Sequence, residues 1–443
     1  MFHEKNRRQT LKKTSEIRLQ PKKQTRQTLA IRPGRMRWKR EDRHVFGVAR
    51  KMEATIFPLV FAFLFLSSVF PSREARGAEF KLIPSVGVKE EYDDNLFFTE
   101  KDRVDDFITT ITPGLELVNR TEKLDVNLLA RIDVLRYADN RDLDNTDQNY
   151  SGRLRYSPHP NWTLSIGGGF VEDSRRDRDL EVTGLVTRES IRRRQNYSAG
   201  VDHIFSEKTK AGLTYAYSRE DYSEFGSADL KAHDAGLSLV HDLSRYLPNV
   251  AGRMNLGYSR YDYENSATDY FFATVGINWV LNEKWSLLFD GGGSYALLES
   301  GIGENIQKDE GTGWVGMGSL SYKGEKTTGN LTFSHRKAPA YGSVGVTDRT
   351  SLSFGVNRRF TYEFSGGLSA SYFINKTEEG QFSTAEFNQE TFSISPRLRY
   401  EFTRDIALEG SYNFSFTRNK ESNTEVQRSL VMIRLYIQHA LFE

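Results

Sequence analysis

The chain has 443 residues with 0 Cys, 12% aromatic and 27% charged residues, and a formal net charge of +2. Without cysteine there is no disulfide framework, thiolate metal site, iron–sulfur cluster or Cys nucleophile, and the polar balance excludes a bundle of several membrane helices. The near-neutral total hides a split: residues 1–51 hold 17 Lys/Arg against 4 Asp/Glu, so the remainder carries a net −11.

Residues 1–51 are basic and lack any apolar period, so they bury too little surface to fold and read as a disordered leader. Met36, followed by Arg37, Lys39, Arg40 and Arg43, makes a better start for an export signal. Residues 52–77 read as a signal peptide, with an apolar run Ile56–Phe70 and then the small residues Ala75 and Gly77. The run is 15 residues, short of the roughly 20 a spanning helix needs. Export, and not nucleic-acid binding, is the expected purpose of this basic end.

Residues 78–443 show period-two alternation in place of helical periodicity. In Lys123–Tyr137, Leu124, Val126, Leu128, Ala130, Ile132 and Val134 share one face, while Asp125, Asn127, Arg131 and Asp133 share the other. Trp162–Phe170, Phe271–Trp279, Thr391–Glu401, Ile406–Thr417 and Val431–Phe442 repeat the logic. Strands of 10–15 residues exceed the usual soluble length and match a tilted bilayer crossing. Short connections such as Ser206-Glu207-Lys208 alternate with long polar ones: Asp93–Asp105, Ala138–Asp147, Ser174–Glu189, Tyr222–Ala228, Glu299–Thr312, Lys337–Val346, Lys376–Thr384 and Asn419–Glu425. One hairpin recurs about every 41 residues, with two long strands per cycle where a propeller blade has four short ones. The fold class is therefore all-β: a transmembrane up-and-down antiparallel β-barrel of about 18 strands.

Such a barrel turns its apolar face to lipid and its polar face to water. Tyr137, Tyr156, Trp162, Tyr217, Tyr263, Trp279, Trp285, Trp314, Tyr322, Tyr372 and Tyr400 are expected at strand ends, as interfacial girdles. Short turns and both termini are expected in the periplasm. Phe442 resembles the terminal aromatic by which barrel-assembly machinery recognises outer-membrane barrels, although Glu443 follows it and it lies off the apolar parity.

The segment Tyr92-Asp93-Asp94-Asn95-Leu96-Phe97, followed by Thr112-Pro113-Gly114-Leu115, resembles the opening of the Putative beta-barrel porin 2 family. That resemblance implies the cell outer membrane and a role in exporting or supporting secreted polysaccharide, with periplasmic export components as partners. It brings no catalytic residues. On the residues alone the motif is an Asx turn followed by a Pro-Gly bend.

No phosphate loop, nucleophile elbow or metal-ligand spacing stands out, so no cofactor is expected. The candidates for a lipid hydrolase are His241, His335 and His439. Asp139–Asp147 offers oxygen ligands but lacks the glycine and final Glu of a calcium loop. Gly167–Gly169 and Gly291–Gly293 lie inside strands and read as curvature relief. By alternation, Arg131, Arg153, Arg155, Arg253, Arg359, Arg397, Arg399 and Arg434 point into the pore, joined by Asp125, Asp133, Asp202, Asp242, Asp290, Glu401 and Glu409. Charge rings set pore selectivity, and the arginine excess favours an anionic solute such as an acidic polysaccharide. A general diffusion porin, an outer-membrane enzyme and a structural or adhesive barrel with a blocked lumen remain the alternatives.

Overall fold

The computed structural model describes residues 79–441 apart from 187–190, 224–228, 265, 301–306, 340–345 and 378–386. The expected leader, the signal peptide and Phe442 lie outside the described residues. The first nine strands are β1 (Glu79–Asp93), β2 (Asp106–Arg120), β3 (Leu124–Tyr137), β4 (Asn145–His159), β5 (Trp162–Asp173), β6 (Arg192–Ser206), β7 (Thr209–Tyr222), β8 (Leu230–Asp242) and β9 (Val250–Tyr263). The rest are β10 (Ser266–Val280), β11 (Trp285–Ser300), β12 (Gln307–Lys323), β13 (Thr327–Pro339), β14 (Val346–Arg359), β15 (Phe364–Thr377), β16 (Phe387–Glu401), β17 (Ile406–Asn419) and β18 (Thr424–Gln438).

Each strand pairs antiparallel with its chain neighbours, and β1 closes on β18 from Ser85↔Gln438 to Asp93↔Leu430. This is a closed 18-stranded up-and-down barrel. Closure is what hydrocarbon demands, because a free strand edge there has no water to satisfy its backbone groups. Residue parity carries consistently around the ring and through the β1–β18 seam. Val86, Ile111, Ile166, Leu213, Val275, Phe289 and Ile433 are exposed on the outer face, whereas Thr110, Thr112, Ser294, Thr391, Ser393 and Ser415 are buried on the inner one. Buried polar and exposed apolar side chains invert the soluble pattern, as a lipid-bathed wall requires.

Three sequence expectations need correction. Tyr156, Trp162, Trp279, Trp285, Tyr322 and Tyr400 do sit at periplasmic strand ends, but Tyr217, Trp314 and Tyr372 sit mid-strand. Strands of 12–17 residues outrun an apolar band ~25 Å tall, so the outer membrane edge falls partway along them. Tyr137 and Tyr263 lie inside, since the register gives them inward parity. Much of the expected Glu299–Thr312 and Lys337–Val346 loops is strand: β12 begins at Gln307, β13 runs to Pro339 and β14 starts at Val346. A seven-residue periplasmic turn, 243–249, also breaks the short-turn rule.

The wall is not uniform. β12 and β13 share only eight pairs, Gly316↔His335 to Lys323↔Thr328, the shortest seam among the described residues. Beyond it, the β13–β14 hairpin leans into the lumen. There Val346 joins one buried cluster with the inward Leu230, Ala232, Tyr261, Tyr263, Tyr270, Ala296 and Leu298. Gly276 and Gly292 lie where β10 and β11 come so close that a Cβ would overlap the Phe289 or Ala273 carbonyl.

Ile433→Arg, in the lipid-facing row Val431, Ile433, Leu435 and Ile437, is expected to lower the unfolding free energy by ~2–4 kcal/mol. Met432→Arg, on the lumen side, should cost far less; urea unfolding from lipid vesicles measures both.

Candidate functional site: the constricted lumen

All twelve expected charges, Arg131, Arg153, Arg155, Arg253, Arg359, Arg397, Arg399, Arg434, Asp125, Asp133, Glu401 and Glu409, have lumen-side parity in the strand register. Some meet. Arg131 lies 3.3 Å from Asp133, Arg253 3.4 Å from Asp290, Arg399 3.0 Å from Glu401, and Asp125 3.6 Å from Arg120. Arg397 donates to Asn357 Oδ1 at 2.8 Å. Among the described residues, Arg153, Arg155, Arg359 and Arg434 make no such ion pair. A pocket of about 450 Å³ at the periplasmic mouth is lined by Asn357, Arg359, Arg397, Arg399 and Glu409.

Sequence reasoning missed what crosses the lumen. Residues 174–186, within the Ser174–Glu189 segment read above as a long polar connection, turn inward from β5 and end on β15–β17, six to eight strands away by the shorter arc. The tip is a one-turn helix, α1 (Leu180–Thr183), ended by Gly184 at φ 72. That left-handed conformation suits glycine, and a Cβ there would also strike Phe373. Inward side chains hold the tip: Asn375 Nδ2 donates to Thr183 O at 2.8 Å, Gln389 Nε2 to Gly184 O at 2.8 Å, and Thr391 Oγ1 to Gly184 O at 2.6 Å. Leu180 and Leu185, 1% and 5% exposed, were the available signal, an apolar pair astride a glycine in an otherwise charged loop.

The loop's ends are tied by buried ion pairs. Near β5, Arg192 bridges Asp173 at 2.7 Å and Asp179 at 2.9 Å, and Arg178 meets Asp173 at 3.2 Å. On the β1–β18 side, Arg175 contacts Glu91 at 2.6 Å and Asp177 at 3.0 Å, while Arg428 contacts Asp93 at 2.6 Å and Asp177 at 2.9 Å. Burial alone would raise the Asp177 carboxyl, but Arg175 and Arg428 outweigh it and hold the group well below the usual carboxylate range. A pocket of about 270 Å³ beside this cluster is lined by Phe97, Tyr137, Asp142, Arg175, Asp177 and Arg428.

The Tyr92–Phe97 motif proves to be part of that cluster. Asp93 pairs with Arg428, Asp94 Oδ1 accepts from Ser429 N, and Asn95, fully buried, donates to Thr99 O and Gln427 O. The motif thus clasps the outer end of the closing seam. The candidate calcium loop wraps its own wall, since the N–H groups of Ala138, Asp139 and Asn140 donate to the Asp106 carboxylate. Among the described residues, no three His, Asp or Glu converge as metal ligands. His241, His335 and His439 bond to Thr209, Thr350 and Asp405.

Residues 75–229 match the family described as Putative beta-barrel porin 2. This is an outer-membrane, porin-like β-barrel. The match spans the first seven strands, including the Tyr92–Phe97 motif and the crossing loop but not their partners on β15–β18. No curated protein matches the sequence. Among solved structures, the barrel is similar to OccAB4 of Acinetobacter baumannii, with 12% identity over 83% of this chain and 100% of that one, TM-score 0.43. It is also similar to the outer membrane protein OpdK of Pseudomonas aeruginosa, with 12% identity over 81% and 99%, TM-score 0.42. A third is the alcaligin outer-membrane receptor FauA of Bordetella pertussis, with 12% identity over 83% and 77%, TM-score 0.43.

Arg428→Ala strands the buried Asp93, and removing one partner of such a pair costs about 3–5 kcal/mol; urea unfolding should show the loss. The depressed Asp177 carboxyl stabilises the loop anchor at every pH above about 4, and that contribution is lost only as pH falls below it. Hydrogen exchange of residues 175–186, corrected for intrinsic rates, should stay flat from neutral pH to about 5 and accelerate in stronger acid. Asp177→Asn should accelerate it at neutral pH.

Proposed function

We propose that the protein is a passive channel for anionic hydrophilic solutes, that a secreted acidic polysaccharide is its substrate, and that it loads from the periplasm. What carries this reading is the inward wall of β14–β18, where Arg359, Arg397, Arg399 and Arg434 face only Glu401 and Glu409 in the periplasmic half. Arg359 and Arg434, without ion pairs among the described residues, keep their charge available to a solute.

The polarity of the barrel supports the same direction. Among the described residues the outer connections sum to −6, whereas the eight periplasmic turns sum to zero. An anion is attracted at the inner mouth and repelled by the outer loops. The resemblance to an exopolysaccharide-associated family agrees with this substrate, and periplasmic export components would be the partners that deliver it. A channel is favoured over a lipid hydrolase because the ring nitrogens of the three candidate histidines engage Thr209, Thr350 and Asp405.

One observation favours a second reading, a structural barrel with a closed lumen: the loop 174–186 is fastened at both walls. Planar-bilayer recording of the purified protein separates the two. The expected result is a conductance with anion preference, reduced in Arg399→Ser. A clear cation preference would overturn the anionic substrate, and near-zero conductance would support the closed barrel. Deleting the gene should lower secreted polysaccharide, with restoration on complementation.

A further inference from the structure

The basic residues of β14–β18 are not scattered over the wall; the strand register links them. Arg359 lies directly opposite Ser365, Ser365 opposite Arg399, Arg399 opposite Glu409, Glu409 opposite Arg434, and Arg434 opposite Lys89. This is one unbroken row across six adjacent strands. It also climbs. Arg359 is the last residue of β14, Ser365 the second of β15, Arg399 the third from the end of β16, Glu409 the fourth of β17 and Arg434 the fifth from the end of β18. Each step across the wall moves one residue farther from the periplasmic turns, as expected when strands tilt and a perpendicular row runs obliquely around the barrel.

The row starts exposed at the periplasmic pocket and grows more enclosed, ending at Lys89, whose side chain is 15% exposed. Lys89 lies 2.7 Å from Glu91, and Glu91 in turn holds Arg175 of the crossing loop. Two cations, Arg434 and Lys89, stand directly opposite each other. Like charges so placed destabilise a sheet; Glu91 offsets the Lys89 side of this pair, whereas Arg434 makes no ion pair among the described residues. An anionic ligand would relieve the repulsion.

We infer that this row is an inclined binding track for a linear polyanion, running from the periplasmic mouth to the anchor of the crossing loop, with Arg359, Arg399, Arg434 and Lys89 as its cationic rungs. The inference rests on the channel reading and deepens it, from a polymeric anionic substrate to the row of residues that would hold it. Neighbouring strands are ~4.8 Å apart, so Arg359, Arg399 and Arg434, on alternate strands, repeat about every 10 Å. A chain whose acidic groups recur near that spacing engages several rungs at once, and each added contact is intramolecular. A single small anion meets one rung and gains none of this. Glu409 sits between two rungs and keeps any one segment from binding too tightly to move on.

The test uses the full mature protein in detergent, titrated calorimetrically with an oligogalacturonate, with galacturonate monomer and with a neutral dextran oligomer. Arg399→Ser and Arg434→Ser should each weaken the oligogalacturonate about tenfold while changing monomer binding little. Arg399→Lys, which keeps the charge, should retain most of the affinity and so exclude a folding defect. Arg245→Ser, in the exposed 243–249 turn between β8 and β9 and off the row, should bind like the parent. Equal loss in Arg245→Ser, no loss in the two row variants, or no preference for the oligomer over monomer and dextran would overturn the track. The bilayer recording reports separately on the channel: anion-preferring current without oligomer preference sinks the track alone, and oligomer binding without any current sinks the channel alone.

Discussion

The backbone hydrogen bond in hydrocarbon governs this molecule. Every N–H and C=O at membrane depth must find a partner within the sheet, so eighteen strands must form a ring and the ring must close. Closure fixes register, and register fixes which side chain faces lipid and which faces water. From that one requirement follow the inverted burial pattern, the placement of charge inside, and the alignment of residues far apart in sequence, such as Lys89 and Arg434, across a shared seam.

Inside the ring, the same wall supports two kinds of electrostatics. In the outer half, charges are paired and buried: Arg192, Arg175 and Arg428 each serve two carboxylates, and their work is to hold a loop across the lumen. In the periplasmic half, arginines are more exposed and several stand without an acid. Buried pairs roughly break even against apolar packing but are costly to break, which suits an anchor. Exposed cations add little to stability, which leaves them available to bind.

Most of the barrel was legible in the sequence, because alternation is a local property and survives in a single strand such as Lys123–Tyr137. Inward parity of the charged residues was legible for the same reason. The crossing loop was not. Its destination depends on Asn375, Gln389 and Thr391, about two hundred positions away, and its own residues look like any solvated charged turn. The clasp was half legible: Asp93, Asp94 and Asn95 have turn chemistry, but their partners Arg428, Ser429 and Gln427 come from the far end of the chain. Tyr137 and Tyr263 misled because an aromatic at a strand end looks the same from sequence whichever face it takes.

Arg428 belongs to the final strand, Asp93 to the first, and Asp177 to the loop between β5 and β6. A single guanidinium therefore checks that ring and loop are both in place. If the last strand joined the first one position out of step, Arg428 and Asp93 could no longer both face the lumen, and the ring and the loop would lose their shared fastening together. Correct closure and correct seating of the loop are thus one and the same condition.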